Sequence, residues 1–177
     1  MGFDVSRYSP QVQAVLALDG NGSRPMPLAN GKPVQAGLDA LSGQSAQTLF
    51  PEGYSSEAAL SGLYLYFCGY DRSHGISQDI GTVEGSFWHG ILHRQEPDPD
   101  NAKYWFRRVG EHPIFSKLCD AAIELGFAAK QTWDPFAFID YCEAARRKPG
   151  SREEQTAMAI QLAEWQLLFD YCARPAR

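Results

Sequence analysis

Val83-Glu84-Gly85-Ser86-Phe87-Trp88-His89-Gly90-Ile91-Leu92-His93-Arg94-Gln95 decides how this chain is read. At 100° per residue, Val83, Phe87, Trp88, Ile91 and Leu92 gather on one side of a helix. His89 and His93 fall together on nearly the opposite side. Their i, i+4 spacing sets the two rings about 40° apart and roughly 6 Å along the axis. All four histidines of the chain lie between His74 and His112. Trp88, Trp105, Glu96, Arg94, Arg107 and Arg108 occupy the same stretch, so titratable and aromatic side chains concentrate here.

Working outward, helical periodicity recurs on both sides and strand-like alternation is missing. Ser9-Pro10 predicts an N-cap and first helical residue. Ser55-Ser56-Glu57 opens an apolar run through Leu60, Leu63, Tyr64, Phe67 and Cys68, which Asp71–Gly75 closes. That places His74 at a helix end or turn. After Pro97 a further helix is expected from Asn101 to Val109 with Asp100 as its cap, and Pro113 starts another. Asp134-Pro135 caps the next, and Ser151-x-x-Glu154 is a capping box for a last long helix. Asp19 to Gly53 is rich in glycine and proline, with Phe50 its one aromatic, and reads as a long surface connection. The expectation is an all-α fold: one domain over residues 1–177, an irregular bundle of about six helices with a long N-terminal loop at 19–53.

A chain of 177 residues buries about 70% of its unfolded surface without staples. The net charge of −5 argues against a nucleic-acid partner, which would need a basic surplus. No apolar run reaches the roughly 18 residues of a membrane span, and no signal peptide is visible. Cys68, Cys119, Cys142 and Cys172 are far apart within apolar patterns, the usage of reduced thiols in a cytoplasmic protein.

Three readings of the His89/His93 face compete. It is a polar face, solvated or covered by polar loops, that carries no chemistry; or it lines a pocket where imidazoles do acid–base or anion-binding work, since their pKa lies near neutrality. Or it binds a divalent metal such as zinc, with His89 and His93 as ligands and Glu96 or His74 as the third. Gly90 follows His89, so the glutamate of a His-Glu-x-x-His zinc motif is missing, and Pro97 disfavours a helical conformation at Glu96. Gly90 also marks a place for close approach of a helix or ligand. Candidate catalytic groups are His89, His93 and His74. Arg107 or Arg108 would clamp a carboxylate or phosphate, His112 precedes a helix N-terminus that favours an anion, and Gln78 offers a neutral hydrogen-bonding group. The leading expectation is a pocket for a small anionic or polar ligand on the 86–94 helix. The alternative is a helical protein-interaction module with purely structural histidines; a third possibility is that the histidines hydrogen-bond loop carbonyls and hold the 19–53 connection down.

Gly90-Ile91-Leu92-His93 through Ala102-Lys103-Tyr104-Trp105-Phe106-Arg107-Arg108-Val109 resembles one tetratricopeptide-type helix pair, over residues 86–112. No second copy follows at a period of about 34, so the likeness implies one local helix hairpin, not a solenoid. More broadly, Ser73-His74-x-Ile76-Ser77-Gln78, with Gly85–Arg94 and Asn101-Ala102-Lys103-Tyr104-Trp105-Phe106-Arg107-Arg108-Val109-Gly110-x-His112-Pro113, resembles an uncharacterised bacterial all-α protein family. That resemblance implies no reaction.

Overall fold

The computed structural model describes residues 2–175. Among them are ten α-helices and no strand, so the all-α expectation holds while about six helices is an undercount. In order these are α1 (Pro10–Ala17), α2 (Gln35–Leu41), α3 (Ala46–Leu49), α4 (Ser56–Tyr66) and α5 (Tyr70–Asp79). Then follow α6 (Val83–Gln95), α7 (Pro99–Val109), α8 (Phe115–Glu124), α9 (Pro135–Arg146) and α10 (Arg152–Ala173). None is long and apolar enough to cross a membrane.

Several ends follow from local chemistry. Ser9 caps α1 through the Val12 amide, and Asp134 caps α9 through Phe136 and Ala137. The Ser151 hydroxyl accepts from Glu154 N, while the Glu154 carboxylate accepts from Gly150 N at 2.6 Å. At α7 the cap is Asp98, not Asp100: it accepts from Asn101 N at 3.2 Å, and Pro99 takes the first helical position. Pro113 likewise precedes α8 without opening it; the helix begins at Phe115.

The undercount arises in two places. The 19–53 connection contains α2 and α3 and is bound closely to the body. Met26 and Leu41 are fully buried. The Tyr66 hydroxyl donates to Asp19 O at 2.6 Å, Arg146 Nε to Leu28 O at 2.9 Å, and Gln161 Nε2 to Pro27 O at 2.7 Å. Tyrosine, arginine and glutamine side chains thus hold this segment; the hydrogen bonds of the histidines go elsewhere, which corrects their expected role as loop anchors. The second place is α5, a separate helix where a helix end was expected. Its sequence, Tyr-Asp-Arg-Ser-His-Gly-Ile-Ser-Gln-Asp over residues 70–79, lacks an apolar stripe.

α6 is the axis of the domain. Residues Glu84 to Gln95 are all buried, with α7 and α5 packed along it and α4 behind. Its histidine side is therefore no solvated face. Close approach needs small residues: a Cβ on Gly90 would lie 2.8 Å from the Phe106 ring on α7, so Gly90 admits a helix. Toward its C-terminal end Arg94 is wholly buried and forms an ion pair with Glu164 on α10. Arg94 Nε donates to Gln161 Oε1 at 3.1 Å, and the guanidinium lies 4.7 Å from the Phe138 ring centre.

Removing one partner of such a pair leaves a buried charge without compensation. Arg94→Met is expected to lower stability to urea by about 3–5 kcal/mol, and Arg94→Met with Glu164→Leu to recover most of that loss. A single substitution costing under about 1 kcal/mol would contradict this picture.

Candidate metal centre

The seven residues from His89 to Gln95 contain two imidazoles on the side of α6 that α5 covers. His74 and Ser77, one helical turn apart on α5, face that side, and Asn101 and Trp105 reach it from α7. One ring nitrogen from each of His74, His89 and His93 lies within 4.8 Å of the others. Ring centres are 4.4 Å apart for His74–His89, 4.8 Å for His89–His93 and 5.5 Å for His74–His93. His89 and His93 are buried; His74 is half-buried. Trp105 lies against His89 with centres 4.1 Å apart, and the Arg108 guanidinium sits over Trp105 at 5.0 Å.

Each buried ring has a hydrogen-bonding neighbour at Nδ1. The single hydroxyl hydrogen of Ser77 goes to the His74 carbonyl at 3.2 Å. The hydroxyl oxygen lies 2.9 Å from Nδ1 of His89; in the tautomer that donates Nδ1–H to it, the Nε2 lone pair of His89 is free. On His93, Nδ1 lies 3.0 Å from a Glu96 carboxylate oxygen, which takes its proton and again leaves a lone pair on Nε2. The Asn101 amide nitrogen sits 3.1 Å from that Nε2 and 3.4 Å from Nδ1. Burial pushes the His89 pKa down to about 3, with His93 and His74 adding to the effect. Burial also lowers His93, helped by His74 and opposed by Glu96 and Asp98. Both rings are thus neutral at pH 7, the form that ligates metals.

The sequence candidates divide. His74, His89 and His93 come together. Glu96 joins them through His93 despite the Pro97 that follows it; it stands beside His93 Nδ1 and not as a third member of the cluster. Gln78 is exposed, and its neighbour Ser77 does the work expected of it. Arg107 and Arg108 are exposed, Arg108 covering Trp105 from outside. His112 lies apart, near the start of α6. Its Nδ1 accepts from Ile114 N at 3.3 Å, its Nε2 is 3.9 Å from a Glu84 oxygen, and its ring is packed among Phe87, Phe115 and Tyr171. Ser77 and Asn101 were missed. The signal for Ser77 was its position one turn after His74, legible only once α5 is known to be helical.

Two surface cavities lie elsewhere. One, of about 420 Å³, is on the outer face of α5 among Glu57, Asp71, Arg72 and Asp79; another, of about 390 Å³, lies beside the end of α10 among Tyr54, Lys117 and Tyr171. None of the three histidines lines either. Around the triad, His74, Glu96, Asn101 and Trp105 are half-buried.

No protein-family model, curated protein or solved structure matches the chain. The site's chemistry therefore rests on its own residues.

His112 yields a pH prediction independent of the triad. Burial pushes its pKa down to about 4 from 6.5, against the opposing pull of Glu84. As pH falls, the unfolded chain takes up the proton first, so this contribution to stability is full above about pH 6.5 and is lost toward pH 4, by about 3 kcal/mol at most. In His112→Asn the amide oxygen replaces Nδ1 as acceptor. The fall in Tm over that range is expected to be shallower than in the wild type, and parallel profiles would contradict it.

Proposed function

We propose that the protein is a metalloprotein whose His74, His89 and His93 hold one divalent transition-metal ion of the zinc class, and that this ion acts as a Lewis acid on a small ligand arriving past Glu96 and Asn101. The observation that carries the reading is the convergence of three ring nitrogens within 4.8 Å, drawn from two helices. Metal–nitrogen bonds of about 2.0–2.1 Å in tetrahedral geometry place ligand nitrogens about 3.3 Å apart, so small rotations of the rings close the site.

The supporting groups fit the same reading. Metal-bound histidines commonly donate their second N–H to a carboxylate, carbonyl or hydroxyl, which fixes the tautomer and aims the lone pair. Ser77 does this for His89 and Glu96 for His93. Imidazole donors suit zinc, copper, iron or nickel more than magnesium or calcium. Three protein ligands leave a fourth position for water or substrate, the arrangement of catalytic rather than closed structural zinc sites. The chemistry a bound ion supplies there is activation of water or polarisation of a carbonyl, which makes metal-assisted hydrolysis the reaction class the site fits best.

Elemental analysis of untagged protein, purified without chelator and then equilibrated with zinc, is expected to give about one equivalent of metal. The His89→Ala/His93→Ala protein is expected to lose it, and Ser77→Ala to bind about 10–100-fold more weakly. Wild-type protein that retains no zinc, nickel or cobalt under these conditions would overturn the proposal.

A further inference from the structure

Resting on the metal reading above, we infer that Asn101 is a hydrogen-bond donor to an oxygen bound at the fourth position of the ion, and that the ligand taken there is a small monoanionic oxyanion, a carboxylate or hydroxamate. Asn101 stands at the third residue of α7, and its backbone is fixed because its own amide bonds the Asp98 cap at 3.2 Å. Its side-chain nitrogen lies 3.1 Å from Nε2 of His93 and donates there when that nitrogen carries the lone pair; an ion that takes this lone pair releases the amide N–H to an oxygen on the ion. An ion about 2.0–2.1 Å from Nε2 is therefore at most about 5 Å from the amide. An oxygen about 2 Å from the ion and about 2.9 Å from the amide nitrogen spans that distance.

The charge of the ligand follows from its surroundings. An ion ligated by imidazole nitrogens and no carboxylate keeps its double positive charge, and the Asn101 amide adds N–H donors; both favour an anionic oxygen. Glu96 contacts His93, and the Asp98 charge also acts on that ring. Two carboxylates at the rim repel a doubly charged ligand such as phosphate more than a singly charged one. The burial of His89 and His93 restricts the ligand to a few heavy atoms at the ion.

The test uses the full chain loaded with cobalt(II), whose visible spectrum reports its coordination, titrated with acetohydroxamate and separately with inorganic phosphate. Wild-type protein is expected to change spectrum with acetohydroxamate at lower concentration than with phosphate. Asn101→Ala is expected to take up cobalt as the wild type does and to bind acetohydroxamate about tenfold more weakly. Asn101→Asp, which replaces the donor with a carboxylate, is expected to bind it more weakly still. Wild-type protein that takes up no cobalt overturns the metal reading and this one with it. Cobalt uptake with equal acetohydroxamate affinity in wild type and Asn101→Ala overturns this inference alone, and preference for phosphate overturns its choice of ligand charge.

Discussion

Everything in this fold answers to the burial of α6 on all sides. A helix that carries Glu84, His89, His93 and Arg94 into the interior costs desolvation energy at each of them unless another element supplies a partner. The neighbours come from different places, and among the described residues the Nε2 of His112 and both side-chain polar atoms of buried Gln95 have no hydrogen-bond partner. His112 from the turn before α8 faces Glu84, Ser77 from α5 serves His89, Asn101 from α7 reaches His93, and Glu164 and Gln161 from α10 serve Arg94. The docking of the surrounding helices is thus specified by polar contacts as much as by the apolar core. Gly90 and Gly62 let the backbones come close: a Cβ at Gly62 would lie 2.6 Å from the Trp88 ring.

The two polar clusters on α6 differ in kind. Arg94 and Glu164 bring opposite charges together in the interior, with neighbouring groups of the chain around them; Arg146, for instance, donates to the Arg94 carbonyl at 2.9 Å. Such a cluster fixes the packing of helices. The histidine cluster brings one ring nitrogen from each of His74, His89 and His93 within 4.8 Å of the others, with no opposite charge between them. Half-buried His74 and Glu96 also keep this cluster close to solvent, whereas Arg94 and Glu164 are fully enclosed.

Much of this was legible in the sequence because it is local. The bounds of α6, the His89/His93 pair, the caps at Ser9, Asp134 and Ser151, and the packing role of Gly90 all follow from spacing and propensity over a few residues. What escaped depends on tertiary contact. α5 has a nearly wholly polar sequence, so periodicity had nothing to report, and His74 was placed at a helix end. The choice of Ser77 over Gln78 turns on the rotation of α5 about its axis, fixed only by docking on α6. The surroundings of Arg94 come from residues 67 and 70 positions away. α2 and α3 are too short to carry a pattern. The histidine face was expected opposite the apolar stripe, as it is, but a polar face covered by a second polar helix looks the same in sequence as one covered by water.

We propose that three imidazoles share one ion, and X-ray absorption at the zinc edge, on protein reconstituted with one equivalent of zinc, reads this out. A first shell of four light scatterers at about 2.0–2.1 Å is expected, with the outer-shell signature of three imidazole rings. A shell of oxygen alone, or one or two imidazoles with no change between wild type and His74→Ala, would contradict it.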